Sequence, residues 1–357
     1  GYLAGGSSFE DALVHPADWY REHNVNLALN TRVTAIDAAA HQVQLANDAT
    51  IGYDKLALAT GSVPRQLPVP GGDADGVLYL RTREDADAIR AHLGGGKKLA
   101  IIGAGWIGLE VAAAARAAGT EVTIIEMAEL PLLAVLGAKL AQVFADLHTG
   151  NGVDLRLGTR LEAITTEDGH ASGVRLGGGD TVQADAVIVG VGVAPDTALA
   201  ESAGLALDNG VLVDGSLRTS DPDIYAVGDI ANHDHPVLGH RVRVEHWATA
   251  LHQPAAAMLG NNQAQYTELP YFYSDQYDLA MEYVGHARKD AYQRLVVRGN
   301  LDKREFVAFW LTGENRIKAA MSVNVWDVVD QFKSFILSRR PVNPDRLADP
   351  SVAYSAL

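Results

Sequence analysis

The stretch Leu99-Ala100-Ile101-Ile102-Gly103-Ala104-Gly105-Trp106-Ile107-Gly108-Leu109-Glu110, carried on to Val122-Thr123-Ile124-Ile125-Glu126, decides the fold. Its first four residues are the short apolar run that a strand buried on both faces requires. Glycines at 103, 105 and 108 follow at once, and Leu109 to Ala115 reads as an Ala-rich helix. A second apolar run, Val122 to Ile125, ends on Glu126. Strand, glycine turn, helix, strand and terminal acid in this order form a dinucleotide-binding fingerprint. Gly103 allows the tight turn, Gly105 lets the backbone approach a pyrophosphate, and Gly108 lets the helix lie close to the strand. The helix start offers unpaired N–H groups to the phosphates, so Ala104, Trp106 and Ile107 count with the glycines as cofactor-binding. Glu126, about 20 residues on, is placed to accept from both ribose hydroxyls. No Arg or Lys stands between Glu126 and Lys139. Nothing local would neutralise a 2′-phosphate, which favours NAD over NADP.

The 357 residues suggest two or three domains. No segment approaches the apolar run of about 20 residues that a membrane span needs. No secretion signal is evident, and the protein is expected to be cytoplasmic. Cysteine is absent. That excludes a disulfide, a CxxC pair, a thiol nucleophile and a cysteine-ligated cluster, so redox chemistry would need a bound cofactor. A net charge of −15 argues against nucleic acid. Residues 271–357 hold 12 Lys/Arg against 11 Asp/Glu, which leaves the acidity to residues 1–270. Only the C-terminal part could meet an acidic protein without strong repulsion. His233, His235 and His240 lack regular spacing and a cysteine partner, so they read as a solvated loop and no metal site is expected.

Residues 9–24 read as a helix capped by Ser7 or Ser8, followed by a strand over Val25–Leu29. Val33–Asp37 and Gln42–Leu45 alternate as a hairpin or three-stranded meander. Lys55–Gly61 is a buried strand, and Pro64, Pro68 and Pro70 mark a crossing between domains. Helices are expected over Arg83–Leu93, Gly137–His148, 246–259 and Trp326–Ser338. Strands are expected at Val174–Leu176, Ala186–Val189, Val211–Asp214, Ile224–Val227, Leu295–Val297 and Phe306–Phe309.

Five further segments carry a resemblance: Ala59-Thr60-Gly61, Leu80-Arg81-Thr82 with Asp85, Thr219 to Asp229, Arg243-Val244-Glu245-His246-Trp247, and Pro270 to Asp278. Together with the fingerprint they resemble the FAD-dependent pyridine nucleotide-disulfide oxidoreductases, in the ferredoxin or rubredoxin reductase branch. The resemblance covers essentially the whole chain. It implies an α/β fold with two nucleotide-binding Rossmann-like domains, the first incomplete and discontinuous, and a C-terminal α+β domain of dimerisation or interface type. The implied bounds are 1–65 with 193–268 for FAD, 66–192 for NAD and 269–357 for the last domain.

Residue by residue, the resemblance implies that Asp229 accepts from the flavin ribityl chain and Arg81 contacts the FAD phosphates. Val33 meets the adenine through its backbone. Ala59, Thr60, Gly61, Gly192 and Glu245 are counted with the cofactor-binding residues. Glu110 lies beside the nicotinamide, Trp247 borders the flavin ring, and Tyr273 stands where relatives often carry a tryptophan between flavin edge and surface. The absence of cysteine sets aside the disulfide reductases and thiol-dependent oxidases of the superfamily. What remains is an NADH-dependent flavoprotein that passes electrons from NADH through FAD to a small iron–sulfur or rubredoxin-type carrier, as a monomer or homodimer. A non-catalytic NAD-binding module and an apoptosis-inducing-factor-like flavoprotein are the alternatives. The family's opening strand–GxGxxG–helix is absent from the sequence, which reads as starting inside a protein. On that reading the chain is expected to bind FAD weakly or not at all.

Overall fold

The computed structural model describes residues 1–259 and 264–357. The fingerprint forms a parallel sheet. Lys98–Ile102 pairs with Glu121–Ile125 on one side and Ala186–Val189 on the other, and Asp154–Arg156 and Val77–Leu78 form the edges. Successive side chains leave a strand on opposite faces, and the cores follow that parity. Leu99, Ile101, Val122 and Ile124 pack on the helices Trp106–Ala117 and Ala138–Gly150. Ala100, Ile102 and Ile125 pack on an antiparallel sheet of Leu161–Glu167, His170–Leu176 and Thr181–Gln183.

A second apolar core gathers Ile224–Ala226, parallel to Leu56–Leu58, with Val211–Val213 parallel to Ala231–His235. Val33–Asp37, Gln42–Leu45 and Thr50–Gly52 form the three-stranded meander at its edge. Two connections run between the two nucleotide-fold units. There Ser62–Pro64 and Val193–Pro195 pair antiparallel, so both crossings travel as one ribbon.

The C-terminal sheet is fully antiparallel, in the order Tyr271–Gln276, Leu279–Gly285, Ile317–Val323, Glu305–Leu311, Arg294–Asn300. One face carries Val284, Phe309 and Ala320 against Phe332 and Ile336 of the helix Val329–Ser338. The other places Met281, Tyr283, Trp310 and Met321 in the same cluster as Leu109, Ala112 and Phe144 of the fingerprint unit. The chain is thus α/β with parallel Rossmann-like parts and a C-terminal antiparallel sheet.

Several local expectations are corrected. Residues 9–24 are not one helix: a 3₁₀ turn at Glu10–Ala12 precedes a short helix, Ala17–Glu22. Pro16 disfavours helical backbone at His15, and Asn24 at φ 56° closes the segment. Val25–Leu29 is not a strand among the described residues; Asn24 and Asn30 both lie at positive φ and Leu29 is 70% exposed. The last long helix starts at Val329 and not at Trp326, because Asp327 sits at φ 60°. Arg83–Leu93 shortens to Arg83–Arg90, its start fixed by Thr82 and Asp85 capping each other.

His233 and His235 do not lie in a solvated loop. They occupy the strand Ala231–His235, paired with His240–Val242, and each is 1% exposed. Their alternation turns both rings inward beside Tyr266.

Candidate functional site

The glycine turn is built as its spacing requires. Gly103 has φ 101°, and a Cβ there would stand 2.5 Å from the Gly190 carbonyl oxygen. A Cβ on Gly108 would stand 2.1 Å from the Gly103 carbonyl oxygen, so helix and turn approach as only glycine allows. Gly105 is the helix N-cap, without a side-chain cap and with open space where its Cβ would be, among the described residues. The helix start therefore presents free N–H groups to an open surface. Glu126 closes the turn from the next strand: one carboxylate oxygen accepts from the Ala104 amide and the other from the Ala128 amide, both at 2.8 Å. Trp106 packs edge-on between Phe144 and Phe272, and Ile107 faces solvent.

From this turn the helix delivers Glu110 to the wall of a cavity of about 650 Å³. Trp106, Glu245, Trp247, Tyr273 and Ser274 share that wall. Glu110, Trp247 and Tyr273 thus come together from three elements: the fingerprint helix, the start of the helix Trp247–Leu259, and the first C-terminal strand. Trp247 and Tyr273 are more than half exposed, with large aromatic surface left open toward the cavity. Glu110 keeps solvent contact, while its carboxyl, bonded to Ser274, is only partly exposed. Burial pushes its carboxyl above the usual carboxylate range, opposed by a hydrogen bond donated by Ser274.

His246, His286, Arg288 and Lys289 also line the cavity, none of them singled out from the sequence as site residues. Burial brings the His246 and His286 imidazoles down to about 4. His286 Nδ1 lies 3.0 Å from His240 Nε2, while His240 Nδ1 bonds the Leu238 carbonyl. His240 therefore protonates Nδ1, and His286 is the donor between the rings.

A second cavity, of about 700 Å³, is lined by Val33, Ala59 and Thr60 with Asp196. The Thr60 hydroxyl donates to the Asp196 carbonyl at 2.6 Å. Gly61, at φ 73°, borders Arg81, whose guanidinium would meet a Cβ there at 2.6 Å. Arg81 Nη1 lies 3.3 Å from Asp229 Oδ2, with Asp229 in the turn that follows Ile224–Ala226. Arg243 bridges outward: Nη1 donates to the Asp229 carbonyl at 3.0 Å and to Glu245 at 2.8 Å. Two ion pairs, linked through the Asp229 main-chain carbonyl, thus run from Arg81 to Glu245 at the first cavity. Gly192, at φ 92°, stands apart, on the ribbon, where its carbonyl accepts from the Arg65 amide.

Residues 3–253 match the pyridine nucleotide-disulphide oxidoreductase family, and residues 271–357 match the reductase C-terminal family. The ferredoxin–NAD(+) reductase component of the anthranilate 1,2-dioxygenase system of Burkholderia cepacia is 42% identical over 96% of this chain and 84% of its own. Putidaredoxin reductase of Pseudomonas putida is 38% identical over 98% of this chain and 84% of its own. Among solved structures, the covalent putidaredoxin reductase–putidaredoxin complex superposes with a TM-score of 0.93 at 37% identity, covering 99% of this chain and 86% of that one. The chain belongs to the pyridine nucleotide-disulphide oxidoreductase family and carries that family's reductase-type C-terminal domain.

Proposed function

We propose that this protein is an NADH-dependent flavoprotein reductase that delivers electrons from NADH through FAD to a ferredoxin or rubredoxin. The observation that carries the reading is the convergence of Glu110, Trp247 and Tyr273 on one cavity, reached directly from the glycine turn.

The residues present fit a pyridine nucleotide at the glycine turn and part of the site for a second, flavin nucleotide. The uncapped helix start and the open space at Gly105 suit a pyrophosphate approached by backbone amides. Glu126 offers its remaining lone pairs to ribose hydroxyls, and its charge disfavours a 2′-phosphate. Arg81 beside Gly61 suits the second nucleotide's phosphates, and Asp229 suits a polyhydroxyl chain. FAD, when bound, accepts a hydride from NADH and releases the electrons one at a time. The chain's own part is binding, orientation and exclusion of water. Glu110 orients the nicotinamide, Trp247 and Tyr273 cover the reacting rings, and Tyr273 presents an exposed aromatic edge to the docked carrier. No side-chain acid or base is needed for the hydride step. The balanced charge of residues 271–357 suits docking of an acidic carrier better than the remainder of the chain does.

The test is an anaerobic NADH titration of the protein loaded with FAD, followed by addition of a [2Fe–2S] ferredoxin or a rubredoxin. Bleaching of the flavin band by NADH, then reduction of the carrier, is expected. A flavin band that NADH leaves unchanged would refute the reading.

A further inference from the structure

A buried row of polar groups runs from the C-terminal sheet to Glu110. The Tyr277 hydroxyl lies 3.4 Å from His148 Nδ1, and His148 Nε2 lies 2.8 Å from Gln276 Oε1. Gln276 Nε2 donates to Ser274 Oγ at 3.0 Å, and Ser274 Oγ donates to Glu110 Oε1 at 2.5 Å. Ser274, Gln276 and His148 are 2%, 0% and 0% exposed, so their polar atoms must find partners within the protein.

The donor and acceptor inventory sets the direction of every link. An ionised Glu110 only accepts, so Ser274 commits its single proton to it. The Ser274 oxygen then accepts, and the Gln276 amide must turn its NH₂ toward it. That leaves Gln276 Oε1 facing His148, which therefore carries its proton on Nε2. The lone pair on His148 Nδ1 is left for the Tyr277 hydroxyl. All four bonds point toward the Glu110 carboxylate, an arrangement in which each bond polarises the next. Burial lowers the His148 pKa, in keeping with the neutral imidazole this requires.

The elements explain the placement. Ser274 and Gln276 are two apart on Tyr271–Gln276 and share its inward face, while Tyr273 and Asp275 point out. The hairpin turn carries Tyr277 at φ 55° over the helix Ala138–Gly150, which supplies His148. The groups thus come from two separate parts of the chain and end on a third, the fingerprint helix.

We propose that Ser274 is a positioning residue for Glu110, by which the C-terminal domain sets the orientation of the carboxylate in the nicotinamide subsite. The proposal rests on the reading of Glu110 given above. With Oε1 tethered by Ser274, Oε2 is the oxygen free to accept from the nicotinamide carboxamide. The C-terminal domain then completes the NADH site in addition to covering it.

Calorimetric titration of NAD⁺ and of ADP-ribose, which lacks the nicotinamide, into the wild type, Ser274→Ala, Glu110→Gln and the double variant tests this. Ser274→Ala is expected to weaken NAD⁺ about five- to tenfold, the scale of one lost hydrogen bond to a charged group. ADP-ribose affinity is expected to stay unchanged, which also reports an intact fold. Added to Glu110→Gln, the Ser274 change should cost nothing further, since both act through one contact. Equal losses for the two ligands, full additivity, or no loss from Ser274→Ala beside a clear loss from Glu110→Gln would overturn the proposal.

If Glu110→Gln itself leaves NAD⁺ affinity unchanged, the reading of Glu110 is what fails. The tether is then judged alone by carbon-13 NMR titration of the Glu110 carboxyl. Loss of the Ser274 bond should move the midpoint up, with Asp275 still acting on it in both proteins. An unmoved midpoint overturns the tether.

Discussion

The Glu126 carboxylate holds the Ala104 amide at 2.8 Å, tying the end of one central strand to the glycine turn that follows the other. One side chain thus shapes the turn and, on the reading proposed above, also accepts from the ribose. Glu126→Ala should lower unfolding stability by about 1–3 kcal/mol, the cost of leaving the Ala104 and Ala128 amides without their acceptor. It should also weaken NADH and narrow the NADH preference over NADPH by about tenfold. Urea unfolding and nucleotide titration of the same variant read both effects.

Gly108→Ala is expected to be worse than its size suggests. Its methyl would meet the Gly103 carbonyl oxygen at 2.1 Å, and neither backbone can yield without opening the turn. A loss of about 2–4 kcal/mol is expected, in the range of severe overpacking, with NADH binding abolished. Gly105→Ala, where space is open, should keep the stability and lose mainly nucleotide affinity. A pair of melting curves distinguishes the two.

Arg81→Ala should reduce FAD affinity by about tenfold or more, since it removes the cation beside Gly61 and leaves the mostly buried Asp229 carboxylate without its ion pair. Asp229→Asn should also weaken FAD while costing less stability. Retention of flavin absorbance through a desalting column measures this, and NADH affinity serves as the internal control.

Acid should destabilise the protein before its carboxylates titrate. His233, His246 and His286 are held by burial at about 4 in the folded state, against an ordinary value near 6.5. Between these values the unfolded chain binds more protons, so stability falls as pH drops from about 6.5 toward 4 and levels off below. His246→Phe should flatten that slope, and His233→Phe likewise. Thermal melts at closely spaced pH values check the sign. A slope identical to wild type in both variants would place the protons elsewhere.

The sequence revealed the central unit because its glycines do work that no other residue can do. Gly103 at positive φ and Gly108 against a carbonyl leave a spacing that survives in the bare sequence. Glu110, two residues beyond, inherits its place from that register. The Ser274–Gln276–His148 row was not legible in the same way, because its members meet only once the C-terminal hairpin lies on the helix Ala138–Gly150. A signal was present: polar residues at 274 and 276 fall on the same strand face as Phe272. The same alternation in Ala231–His235 distinguishes a buried strand from a loop, which histidine's polarity obscured. Residues 9–24 misled because Pro16 stands inside the expected helix and disfavours helical backbone at His15, so the helix forms only from Ala17 onward.

The C-terminal sheet has no face of its own to spare. Met281, Trp310 and Met321 sit in one apolar cluster with Leu109 and Phe144, so removing the last domain would strip a wall from the nucleotide-binding unit. The boundary visible along the chain is therefore not a boundary in cooperativity. Heat or denaturant should melt these two parts in a single transition, and a gene fragment ending before residue 270 should yield sticky, partly folded protein. Swapping such a domain between reductases to change the electron carrier would require its inward-facing residues to travel with the nucleotide unit they cover.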